Sequence, residues 1–171
     1  SWTKANSPYI VADTITVPAG ETLIIEAGVE INFKNDGQLH VYGTLNAKGA
    51  EADTIVFTHY YNNIDSLWSG IYIDNATTSP KFDYCKIEYS GRESIFGGAI
   101  HCRRSNMEIS NCVITNNIGN YGGGICFNYS YGETLLITNS TFSNNEAVQS
   151  GGAIYNGVTW YLDGPSPVIG K

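Results

Sequence analysis

Gly97-Gly98-Ala99-Ile100 recurs as Gly122-Gly123-Gly124-Ile125 and again as Gly151-Gly152-Ala153-Ile154, at intervals of 25 and 29 residues. A second signature lies between the copies: Asn111-Cys112-Val113-Ile114-Thr115-Asn116-Asn117 is answered 28 residues later by Asn139-Ser140-Thr141-Phe142-Ser143-Asn144-Asn145. Two interleaved motifs at one period define an internal repeat. Repeats of this length build solenoids, because one unit cannot bury its apolar face until a neighbour stacks on it.

Outward from these motifs the same alignment continues. Trp68-Ser69-Gly70-Ile71-Tyr72-Ile73 falls under Gly97-Gly98-Ala99-Ile100-His101-Cys102, so Ile71, Ile100, Ile125 and Ile154 form one column. The second signature adds Phe82, Ile109 and Ile137, then Cys85, Cys112 and Ser140, then Ile87, Ile114 and Phe142. These columns predict the core. Towards the N-terminus, Thr14-Ile15-Thr16-Val17, Leu23 with Ile25, Val29 with Ile31 and Phe33, and Leu39 with Val41 alternate over short lengths broken at Pro18-Ala19-Gly20, Gly28 and Gly43. Alternation with Gly, Pro and Asn breaks predicts strands, and no window carries the spacing of an amphipathic helix. The corner residues Tyr84, Asn111 and Asn139, and Asn116 with Asn144 and Asn117 with Asn145 beyond the strand, suit left-handed backbone angles and coil-to-coil hydrogen bonds.

Three short strands per period with Gly or Asn corners predict an all-β chain folded as a parallel β-helix. Its coils would stand roughly 4.8 Å apart, the spacing of hydrogen-bonded strands. Chain length over period predicts about six coils in a single domain spanning 1–171. Residues 1–9 are expected to cap one end, and 158–171 to serve as a second cap, a docking segment or a truncation point. The opening Ser1-Trp2-Thr3 and the ending Gly170-Lys171 read as those of a fragment or excised product.

The pair Gly-Gly-Ala-Ile (97–100, 151–154) and Phe-x-x-Asn (142–145) resembles the repeat of the polymorphic outer-membrane proteins and related bacterial surface passenger domains. Val17-Pro18-Ala19-Gly20-Glu21-Thr22-Leu23 through Gly28-Val29-Glu30-Ile31 resembles the start of many secreted right-handed β-helix proteins. The resemblance implies a right-handed helix at a cell surface or outside the cell. It implies no single activity, since lyases, esterases, epimerases, adhesins and inert stalks share this architecture.

Composition narrows the partners. A net charge of −7, with only Arg103-Arg104 as a dense basic site, argues against nucleic acid. Apolar runs fall far short of the roughly 20 residues a membrane-spanning helix needs.

Because strand neighbours face opposite ways, His40, Tyr72, His101, Cys126 and Tyr155 are expected to point outward, one per coil. Two positions further stand Tyr42, Asp74, Arg103, Asn128 and Gly157. Aromatic faces beside hydrogen-bonding groups bind sugars, so His40, Tyr42, Tyr72, His101, Asn128 and Tyr155 form the candidate glycan-binding face. An ordinary exposed sheet is the plainer account of the same residues.

Asp74 and Arg103 on adjacent coils faintly resemble the arrangement in polysaccharide lyases on this fold, which use carboxylates to hold calcium and a basic residue to take the proton next to a uronic carboxylate. A cross-strand ion pair is the plainer account, and one Asp with one Arg does not make a calcium cluster, so calcium is unsupported and no cofactor is expected. Cys85, Cys102, Cys112 and Cys126 lack Cys-x-x-Cys spacing, which argues against a metal centre. The register puts the first three inside and Cys126 outside. Cys85 and Cys112, on successive coils, are within reach of a disulfide, with two stacked thiols the favoured alternative. His40, His59 and His101 show no ligand spacing, no nucleophile elbow or triad converges, and no glycine pair is followed by Lys-Ser or Lys-Thr.

The sequence therefore predicts a non-enzymatic surface stalk or adhesin with glycans or other surface proteins as partners. The alternatives are a carbohydrate-active enzyme, whose groove walls would come from 58–67 and 128–134, and a fibre subunit joined end to end through open strand edges.

Overall fold

In the computed structural model the described residues are 1–35, 37–61, 67–91, 96–128 and 132–157. The tail expected as cap or docking segment, 158–171, and much of both proposed walls lie outside them. Of the described strands, Ile118–Tyr121 pairs with Glu146–Ser150 in a separate two-stranded sheet, and the other seventeen stack into three faces. Tyr9–Val11, Glu30–Phe33, Ile55–His59, Cys85–Glu88, Val113–Thr115 and Thr141–Ser143 form the first. Thr14–Val17, Gln38–Val41, Ile71–Asp74, Ile100–Arg103, Ile125–Asn128 and Ile154–Gly157 form the second. The third is Thr22–Ile25, Thr44–Lys48, Lys81–Asp83, Met107–Ser110 and Leu135–Thr138. Each strand pairs in parallel with its equivalent on the next coil, which makes the chain an all-β parallel solenoid. Five coils are complete and two strands of a sixth are in place, against the six expected.

The register confirms the columns. Ile15, Leu39, Ile71, Ile100, Ile125 and Ile154 stand in one line, as do Phe82, Ile109 and Ile137 and Ile87, Ile114 and Phe142. Most of these side chains are fully buried. At roughly 1.5–3 kcal/mol for each large aliphatic or aromatic side chain removed from water, this inner stack is the main stabilising term. Trp68 joins it unexpectedly, stacked on Phe33 at 4.0 Å between ring centroids, with its indole N–H donating to the Glu88 carbonyl at 2.9 Å.

The glycine pairs have a steric cause. Gly122 and Gly151 turn at φ 65° and 75°, the left-handed region that side chains resist. At Gly98 a Cβ would run into the Gly123 carbonyl of the next coil. Coil-to-coil spacing therefore excludes a side chain there.

The asparagines divide their work. Asn111, Asn116, Asn139 and Asn144 all hold left-handed angles, with φ between 47° and 56°, and Asn111 also donates to Asp83 of the coil before at 2.8 Å. The inner amide ladder belongs to their neighbours. Asn117, fully buried, accepts from the backbone N–H and hydroxyl of Ser90 at 3.0 and 2.6 Å and donates to Ile87 O and Asn145 Oδ1 at 3.1 and 2.9 Å. Asn145 donates in turn to Ile114 O at 2.8 Å.

All four cysteines are free thiols. The Cys85 backbone N–H donates to the Cys112 sulfur at 3.4 Å, and the Cys112 N–H donates to the Ser140 hydroxyl at 3.1 Å, so this column is a corner ladder of small acceptors. Burial holds the Cys85 thiol well above its ordinary range. Cys126 corrects the sequence expectation. It does stand in the outward column, but between the larger rings of His101 and Tyr155, and it has no exposure.

Candidate functional site

The outward column of the second face runs Thr16, His40, Tyr72, His101, Cys126 and Tyr155. Strand pairing sets the order, and ring contact follows from coil spacing. His40 and Tyr72 lie 5.1 Å apart, and Tyr72 and His101 5.3 Å. Tyr42 closes on both His40 and Tyr72 edge-on, at 6.1 and 6.4 Å. The sequence therefore placed His40, Tyr42, Tyr72 and His101 together correctly. Tyr155 lies further along, 4.9 Å from Tyr121.

A cleft of about 330 Å³ opens beside this column, lined by Gln38, His40, Tyr72, Phe96, His101 and Arg103 among others. Phe96 forms a wall. It is 44% exposed, lies 5.3 Å from His101 and stacks on Tyr121 at 5.9 Å. The sequence reading names neither Phe96 nor Tyr121, because Phe96 comes from the bend before a strand and Tyr121 ends the short strand Ile118–Tyr121, so neither belongs to the column. A signal was present: each stands one residue before a glycine pair. Tyr121 N–H donates to the Phe96 carbonyl at 2.8 Å, which ties the two turns together.

The polar groups are held in fixed positions. His40 Nε2 meets Gln38 Oε1 at 2.7 Å, and Gln38 Nε2 donates to the Ser69 carbonyl at 3.0 Å. His101 Nε2 meets Asn128 Oδ1 at 3.0 Å. Asn128 is itself buried, so it serves as a partner orienting His101. Burial lowers the pKa of both imidazoles, which keeps them neutral over the physiological range.

Asp74 is more firmly engaged than a single cross-strand pair. Arg104 grips it bidentately at 2.8 and 2.6 Å, Tyr72 donates to it at 3.1 Å, and Arg103 Nε stands at 3.6 Å. Burial opposes its ionisation, but the Arg104 and Tyr72 hydrogen bonds and the two guanidinium charges outweigh that and lower its pKa. Tyr72 is pushed the other way, first by burial and then by the Asp74 charge. Arg104 reaches Asp74 because it sits at the corner after the strand with φ 48°, matched by Asn75 at 47° on the coil before. Spacing alone named Arg103 and missed this closer partner. A carboxylate held by three groups is poorly placed to collect a cation, and among the described residues no cluster of His, Cys, Asp and Glu has metal-binding geometry.

A family model described as right handed beta helix region matches residues 9–164. No curated protein and no solved structure matches the chain.

Proposed function

Since the chain belongs to the right-handed β-helix family, we propose that it is a non-catalytic extracellular or cell-surface module, a stalk or adhesin whose second face binds glycans. The finer kinship with polymorphic outer-membrane repeats, carried by the Gly-Gly-Ala-Ile and Phe-x-x-Asn motifs, belongs to the same proposal. The observation that carries it is the cleft beside His40, Tyr72 and His101. Rings tilted against one another offer apolar surface, and Gln38 and Arg103 offer hydrogen bonds at its rim. Pyranose rings bind to that combination. The engagement of Asp74 by Arg104, Tyr72 and Arg103 supports a binding role over a catalytic one, because a general base needs a free lone pair within reach of its proton.

The test is a glycan-array screen with and without calcium, paired with ultraviolet detection of unsaturated uronate from acidic polysaccharides. Binding without product, lost in Tyr72→Ala or His101→Ala, supports the adhesin. Product formation, lost in Asp74→Ala or Arg103→Ala, replaces it with a lyase. Silence in both leaves a structural stalk.

A further inference from the structure

The ring contacts continue beyond the cleft. From His40 they pass to Tyr72 and His101 within the column, step sideways to Phe96 and Tyr121, and return to the column at Tyr155, each centroid within 5.9 Å of the next. The side step occurs where the column itself offers only Cys126, which is shut off from solvent. Two residues outside the column, from different coils, thus keep the row unbroken across the coil that lacks an outward ring. The row spans five consecutive coils, from the strand Gln38–Val41 to the strand Ile154–Gly157.

We propose that this row binds a linear, extended glycan with equatorial linkages, lying along the helix axis with about one sugar per coil. The proposal rests on the glycan reading of the same face. Coils repeat at about 4.8 Å, close to the advance of one sugar in an extended equatorially linked chain. Successive sugars therefore come level with successive rings, whose planes turn by 21° to 65° from one to the next. A ligand recognised by a single terminal sugar would need one closed pocket. Here the rings are partly exposed along the whole row, and the cleft at Tyr72 is one part of it.

Length dependence tests this directly. Calorimetric titration with cello- and chito-oligosaccharides, from disaccharide to hexasaccharide, is expected to show affinity rising about twofold to tenfold for each added sugar, the gain from one more ring contact. Tyr155→Ala, at the end of the row far from the cleft, is expected to weaken the hexasaccharide by that factor and leave the disaccharide unchanged. Tyr72→Ala weakens every length. A plateau at the disaccharide, or a Tyr155→Ala variant without effect on any length, overturns the axial row while leaving a glycan site at the cleft. Absence of binding at every length, with circular dichroism showing the fold intact, overturns the glycan reading along with the row.

Discussion

Replacing Asn117 by Ala removes the link between Ser90 and Asn145 in the inner amide ladder. The side chain has no solvent exposure and makes four hydrogen bonds: two accepted from Ser90, one donated to Ile87 O and one to Asn145 Oδ1. Ala strands the Ser90 N–H and hydroxyl and the Ile87 carbonyl in a buried setting, each at about 1–3 kcal/mol. Water entering the vacated space recovers part of that, since it can meet the same polar groups. The expected net loss is about 3–5 kcal/mol. With a urea slope of about 2 kcal/mol/M, the midpoint falls by about 2 M at unchanged slope. The neighbouring residue is the control. Asn116 contributes its left-handed angle, φ 56°, so Asn116→Ala should cost only about 1–2 kcal/mol and Asn116→Gly close to nothing. Equilibrium urea denaturation followed by Trp fluorescence and circular dichroism measures all three. Equal losses for Asn116→Ala and Asn117→Ala, or an Asn117→Ala loss below about 1 kcal/mol, would refute the division between turn-forming and ladder-forming asparagines.

Four further outcomes follow from the same geometry. Burial lowers the pKa values of His40, His59 and His101, so the folded state disfavours their charged forms. Stability should hold above the unfolded value of about 6.5 and decline as pH falls through it, and His59→Gln should flatten that decline in thermal melts. Asp74 has the opposite sign: its lowered pKa stabilises the fold above the ordinary carboxylate range, and Asp74→Asn should remove a loss that the parent shows only in more strongly acid solution. The four thiols should be silent to a disulfide reagent in the native state, with Cys126 pushed up to about 12 by burial, and all four should titrate on unfolding; fewer than four would mean a bridge. Gly98→Ala should cost about 1–3 kcal/mol by forcing a methyl into the Gly123 carbonyl, whereas Gly132→Ala meets no atom within 4 Å and is opposed only by its φ of 102°.

The columns were legible because a solenoid gives equivalent residues equivalent surroundings, so one aligned motif places an entire row. Ile71, Ile100, Ile125 and Ile154 needed no more than the repeat of Gly-Gly-Ala-Ile. Alternation along the strand then set His40, Tyr72 and His101 outward. Alternation gives direction, however, and not exposure. Cys126 points the same way as His101 yet is covered, because a short side chain between two large rings is hidden by them. Residues at corners and turns escape the rule for a related reason. Arg104 reaches Asp74 through a left-handed corner and a long flexible stem, and Phe96 and Tyr121 reach the site from the chain ahead of the strand. Their backbones do follow the repeat, since Tyr121 pairs with Ser150 and donates to the Phe96 carbonyl, but their side chains change type from coil to coil, so no column of like residues marks them. The candidate site therefore has a legible half, the strand column, and an illegible half that supplies its wall and its charge neutralisation. In a solenoid the column is dictated by the repeat, which leaves the turns freer to vary from coil to coil. On the proposed glycan reading, specificity should therefore be set by Phe96 and Tyr121 more than by the column itself, and exchanging those two should change which glycan binds before it changes whether the protein folds.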